Sequence, residues 1–250
     1  MIDKLLLQSI NDVPFPQAQL VIHQPTIKEI AYIGEKAFFL GCNFLNFSKE
    51  KFLSAEDNSN LSNKTNFEVL MSIIKNSQGS KEMKLSVHYL LLVLNLIFPS
   101  YEISFGDNNI ILIDNQAEKH FIDNKNYETF KTLICEIFCL NKASEENNDY
   151  NPSGDLARQL AEKMKKGREK AAAAKGEDQK DISILNRYIS ILSVGEKKDK
   201  NELMNYTIYQ LFDEFQRFNL KQDYDIYFKL KIAGAKDVKE VDNWMKEIHL

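Results

Sequence analysis

The chain has little to do chemistry with. Its 250 residues include only 3 cysteines, 4 histidines and 1 tryptophan. Cys42, Cys135 and Cys139 are an odd, sparse set, which gives no disulfide framework and fits a reducing compartment. Cys135 and Cys139 lie four apart on an apolar helical pattern with no histidine or further cysteine near in sequence, so they read as core. His23, His88, His120 and His249 are isolated from one another, and no H-E-x-x-H or His-x-His occurs. None of the four is read as a ligand or a base.

Other signatures fail on geometry. The "DYD" of Asp223–Asp225 looks like a divalent-cation pair, but helix positions i and i+2 point about 200° apart and cannot share one ion. "GEKKDK" lacks the spacing of a phosphate-binding loop, and no G-x-S-x-G is present. "NPSGD" reads as a helix entry capped by Ser153 or Asp155. The expectation is a protein without catalytic residues, cofactor or metal. The longest apolar stretch, "YLLLVLNLIFPSY", falls well short of the ~20 residues that span a bilayer. "MIDKLLLQSIND" has too short an apolar run for a signal peptide. A cytoplasmic location follows as an expectation, and no membrane partner is expected.

Core-forming residues, in contrast, are plentiful. Hydrophobic residues make up 44% and charged residues 27%, with 16 Phe and 10 Tyr. That is the profile of a globular protein with a sizeable core. The formal charge of −4 gives no global pull toward nucleic acid. Residues 1–150 carry 13 Lys+Arg against 19 Asp+Glu, while residues 151–250 carry 19 against 17.

This shift coincides with a change in pattern. "LLLQSI" and "QLVIHQ" read as strands around the turn-prone "NDVPFP". Thr26 and Glu29 form a capping box that opens a helix closed by Gly41. The polar loop "SAEDNSNLSNKTN" leads to a short helix, "FEVLMSIIKN". A strong helix over "KEMKLSVHYLLLVLNLIF" stops at Pro99, and "YEISF–GDNN–IILID" is a hairpin. Residues Asn124–Leu140 form an amphipathic helix with Phe130, Leu133, Ile134, Ile137 and Phe138 inward. Residues 1–140 thus read as an α+β domain with a small antiparallel sheet. Residues 141–154 are a polar linker, and residues 155–250 are all helical, with helices at Asp155–Lys175, Asp181–Val194, Asn205–Lys236 and over "DVKEVDNWMKEIH".

"NYTIYQLFDEFQRFNLKQDYDIYFKLKIAGAK" (Asn205–Lys236) concentrates the aromatics. At ~100° per residue, Ile208, Leu211, Phe212, Phe215, Phe218, Ile226, Leu230 and Ala233 share one face, expected to be buried throughout. Asp213, Glu214, Arg217, Lys221, Asp225 and Lys231 form a solvated side. Tyr209, Tyr224, Tyr227 and Phe228 lie at the edge of that charged side and are the candidate partner-binding residues. The competing reading packs Tyr209 and Tyr227 under a neighbouring helix. Single-stranded nucleic-acid binders interleave aromatics with a continuous basic track, but here the charges alternate. The basic stretch Arg158–Lys175 contains no aromatic; Lys163, Lys165, Lys166 and Arg168 are its candidate phosphate contacts, and a solvated helix is the competing reading.

Two stretches resemble a known family. "LVIHQPTIKEIAYIGEKAFF" resembles the opening of tail-assembly proteins of tailed bacteriophages. "YTIYQLFDEFQRFNLKQDYDIYFKLKIAGAKDVKEVDNWMKEIH" resembles C-terminal regions of phage tail-morphogenesis proteins. The resemblance implies a tail assembly chaperone in the host cytoplasm, binding a tail-tube or tape-measure subunit, with no cofactor. The hairpin domain departs from the family's small helical pattern and leaves open a structural tail or baseplate component. A nucleic-acid binder acting through the basic stretch is the further alternative.

Overall fold

The computed structural model describes residues 2–49, 63–77, 81–140, 183–234 and 240–248. The fold is α+β, as expected, with two small antiparallel sheets and helices around them. The expected linker 141–154, the basic helix and Lys163, Lys165, Lys166 and Arg168 lie outside the described residues.

The first residues differ from expectation. "LLLQSI" is not a strand; Lys4–Gln8 is a helix (α1) because the Asp3 carboxylate accepts from the Leu5 N–H and caps it. The expected turn holds strand β1 (Val13–Phe15), which pairs antiparallel with β2 (Leu20–Ile22) across a 3₁₀ turn, Pro16–Ala18. The buried Gln24 amide shapes this hairpin. Its Nε2 donates to the carbonyls of Leu6, Ser9 and Asn11 at 3.2, 3.3 and 2.6 Å.

The Thr26–Glu29 capping box is present, but the helix it opens divides in two. Gly34, at φ +89°, separates α2 (Ile27–Ile33) from α3 (Glu35–Leu45). Gly41 therefore does not end a helix. It lies mid-α3, against α5 (Lys81–Ile97), where an added Cβ would sit 2.5 Å from the Tyr89 carbonyl oxygen and 2.6 Å from Val93 Cγ2. The missing side chain is what lets the two helices pack this closely. Helix α4 (Asn66–Asn76) starts at a second capping box, Thr65 with Glu68.

The expected hairpin forms between β3 (Glu102–Phe105) and β4 (Asn109–Ile113), and β5 (Lys119–Asp123) adds a third strand that periodicity did not indicate. Helix α6 (Tyr127–Ile137) follows. Its Phe130 stacks between Phe15 and Phe98 at centroid distances of 5.7 and 6.0 Å, joining the β1–β2 sheet to α6 and to the residue that follows α5. All three cysteines are buried, and burial drives the Cys42 thiol well above its usual range.

Helices α7 (Ile184–Gly195), α8 (Lys200–Met204) and α9 (Ile208–Ile232) complete the described chain. They share one hydrophobic core with the N-terminal elements. The Glu35 carboxylate accepts from the Ser183 hydroxyl and from the Ile184 and Leu185 N–H groups, so an α3 side chain caps α7. Thr26 and Thr207 form an isolated antiparallel bridge, and Ile27 N donates to Tyr206 O at 2.8 Å. The capping boxes that start α2 and α9 are thereby set side by side.

The last expected helix is absent over residues 240–248. Asn243 makes a local turn, accepting from Met245 N through its side chain and from Lys246 N through its carbonyl. The Trp244 and Lys246 carbonyls both accept from Arg217 Nη1 on α9 at 2.7 Å, so they serve a tertiary contact instead of a helix ladder. Ile248 is buried, and Lys4 pairs with Glu247.

Two outcomes test this packing. Gly41→Ala should cost roughly 1–3 kcal/mol in urea unfolding, since Tyr89 or α3 must move; an unchanged midpoint would contradict the close approach. Arg217→Ala should strip amide-exchange protection from residues 240–248 and shift Trp244 emission to the red, with little loss of global stability. Protection that survives the change would mean Arg217 does not hold the tail.

Candidate functional site

Helix α9 changes character midway. Ile208, Tyr209, Leu211, Phe212 and Phe215 are buried, and Phe218 packs partly against the core. The surface they meet is α7, where Tyr188 stacks on Phe215 at 3.7 Å and meets Phe212 edge-on at 5.2 Å. A Cβ on Gly195 would lie 2.4 Å from the Phe218 ring, so the last residue of α7 sits directly on it. One turn on, Lys221 reaches Glu196 at 3.4 Å. Lys198 closes the same end, donating to Glu214 at 2.6 Å and to the Tyr206 hydroxyl at 3.0 Å. Partial burial pulls the Lys198 ammonium down, but those two partners outweigh it and its pKa is raised.

Past Lys221 the helix runs on for almost three turns beyond the end of α7. Its apolar stripe continues, but the expectation that the stripe stays buried fails there. Ile226 is 53% exposed, and Leu230 and Ala233 are exposed as well. Around the helix, Phe228 is 51% and Ile232 78% exposed. Two i, i+4 pairs order this segment, Tyr224 with Phe228 at 5.6 Å between rings and Lys231 Nζ 5.6 Å from the Tyr227 centroid. Asp223 and Asp225 face Lys229 and Lys231 in number, so the projecting segment is apolar without a net charge.

The four candidate partner residues therefore do not form one surface. Tyr209 is only 5% exposed and belongs to the core, where burial and the nearby Asp213 carboxylate push its hydroxyl pKa up. Tyr224 and Tyr227 are half-buried and Phe228 is open, and these three lie on the projecting segment. Ile226, Leu230 and Ile232 join them. Periodicity alone assigns Ile226 and Leu230 inward; what was missed is that α7, at 12 residues, is too short to cover a 25-residue neighbour.

Two further features stand apart from α9. A cleft of about 370 Å³ between α3 and α5 is lined by Leu40, Asn43, Phe44, Leu85, Ser86 and Tyr89. At the β4–β5 turn, ligand atoms of Asp114, Glu118 and His120 lie within 4.8 Å of one another, the one such group of metal-ligating side chains among the described residues. The Glu118 N–H holds the Asp114 carboxyl below the usual carboxylate range, with the Gln116 N–H acting the same way. Judged one by one, the histidines gave no sign of this group. The signal is the spacing D-x₃-E-x-H, which only a turn between paired strands brings to one place.

No helix among the described residues is long and apolar enough to cross a membrane. No curated protein and no solved structure matches the chain. Residues 174–249 match the family described as the YomV second domain, a phage-associated domain whose span takes in α7, α8, α9 and the returning tail.

Proposed function

We propose that this protein is a non-enzymatic tail assembly chaperone that binds a phage tail or tape-measure subunit during morphogenesis. The observation that carries the reading is the half of α9 that runs beyond the end of α7, where Ile226, Phe228, Leu230 and Ile232 are exposed and Tyr224 and Tyr227 are half-buried. A chain gains nothing by leaving large apolar side chains such as Ile226, Phe228, Leu230 and Ile232 exposed. Tyr224, Phe228 and Ile232, spaced i, i+4 and i+8, lie on one side of the helix on successive turns, which suits a helical client whose own apolar stripe they would cover until assembly. Membership of this segment in the matched phage-associated region supports the same direction. So does the resemblance of "YQLFDEF" and the residues after it to tail-morphogenesis proteins. The first half of α9, capped by Thr207 and locked to α7, would act as the rigid base.

A double substitution, Phe228→Glu with Ile232→Glu, separates docking from folding. Both positions are exposed, so stability should stay within about 0.5 kcal/mol of the parent. Capture of tail or tape-measure subunits from cells producing phage tails should fall at least tenfold, or about 1.4 kcal/mol. Mass spectrometry of purified particles should find the parent protein absent. Undiminished capture by the double variant would overturn this surface as the docking site. A fixed copy number in the particle would assign the protein to the tail structure instead of its assembly.

A further inference from the structure

We propose that Asp114, Glu118 and His120 form a binding site for a borderline divalent metal ion such as Zn²⁺, built into the turn between β4 and β5.

The turn itself sets the first ligand. Asp114 follows β4 and Glu118 precedes β5, and Asp114 N donates to Glu118 O at 3.1 Å to close the loop. Asp114 Oδ1 is occupied, accepting from Gln116 N at 2.8 Å and Glu118 N at 2.9 Å. Its Oδ2 lies 3.6 Å from His120 Nε2. The register pairs His120 with Leu112. The imidazole is packed edge-on against Tyr101 at 5.7 Å and is only 10% exposed.

His120 Nδ1 lies 3.3 Å from the Ala18 carbonyl oxygen. A carbonyl can only accept, so Nδ1 is the protonated nitrogen. In the neutral ring Nε2 then holds a lone pair. Nε2 is buried, makes no hydrogen bond, and points at Asp114 Oδ2 from 3.6 Å. A lone pair facing a carboxylate oxygen needs a positive charge between them.

Two candidates exist for that charge, a second proton on the ring or a metal ion. A charge-assisted N–H···O bond closes to about 2.7–2.9 Å. Two ligands on one zinc ion, each about 2.0–2.1 Å from it at a near-tetrahedral angle, stand roughly 3.3–3.5 Å apart. The observed 3.6 Å is far too long for the first spacing and lies just beyond the second. The Glu118 carboxylate, exposed at the mouth of the turn, supplies a third ligand within the same 4.8 Å group. The Ala18 carbonyl is the outer partner that such a histidine requires to hold its ring in place. One nitrogen and two carboxylate ligands favour Zn²⁺ over Mg²⁺ or Ca²⁺, which take oxygen alone. Three protein ligands leave a fourth position for water, so the ion should exchange readily. When bound it would tie the β4–β5 turn to the 3₁₀ turn beside β1 through His120 and Ala18.

The test is calorimetric titration of Zn²⁺ into tag-free full-length protein previously dialysed against a chelator, near pH 7. One ion should bind per chain with micromolar or tighter affinity, and excess Mg²⁺ should not compete. Glu118→Gln, at an exposed position that leaves folding intact, should weaken binding at least tenfold. His120→Gln should abolish it. On adding Zn²⁺, the ¹⁵N resonance of His120 Nε2 should shift while Nδ1 keeps its proton. Absence of saturable binding, or binding unchanged in both variants, would overturn the site and leave an imidazolium–carboxylate ion pair there.

Discussion

The structure turns on a mismatch of helix lengths. Helix α9 has 25 residues and so runs about 37 Å, while α7, its packing partner, has 12 residues and runs about 18 Å. Where Gly195 meets Phe218, the partner ends and the longer helix goes on. Burial of a large apolar side chain contributes roughly 1.5–3 kcal/mol. That gain is realised at Phe212 and Phe215 and left largely unrealised at Phe228 and Ile232. The unclaimed half is held in helical form by its continuity with the buried half and by local pairs such as Tyr224 with Phe228.

What makes the buried half rigid is its attachment to the N-terminal elements. The start of α9 is bridged to the start of α2 through Thr207 and Thr26. Gln8 and Gln210 tie α1 to the first turn, with Gln210 Nε2 donating to Gln8 O at 2.6 Å. From the other side Arg217 gathers the returning tail through two carbonyls. These contacts join distant parts of the sequence and fix the first half of α9, while Ile226, Phe228, Leu230 and Ile232 in its second half are exposed. Such a lever presents a surface without having to order it first, which lowers the cost of binding.

Much of this was legible in the sequence, for identifiable reasons. The Thr26–Glu29 box, the β3–β4 hairpin at "GDNN" and the stop at Pro99 are local signals, and each lies where it was expected. The failures are tertiary. Gly41 reads as a helix end until α5 is seen to require its missing Cβ. "LLLQSI" reads as a strand until Asp3 caps it. The residues after Lys239 have helical spacing, but Arg217 takes the carbonyls that a helix would use. Of the expected docking residues, Phe228 is open and Tyr209 is buried, because periodicity locates a face without saying how far along the helix a neighbour reaches. The Asp114–Glu118–His120 group depends on strand register in the same way.

The central claim is that the distal half of α9 meets another protein and not this chain. Its most direct measurement places a photo-crosslinking amino acid at position 228 and irradiates cells that are assembling phage tails. The account predicts adducts with a tail or tape-measure subunit, and far fewer when the crosslinker sits at buried position 215. Adducts confined to the chain's own residues would show that the surface is covered from within, and would contradict it.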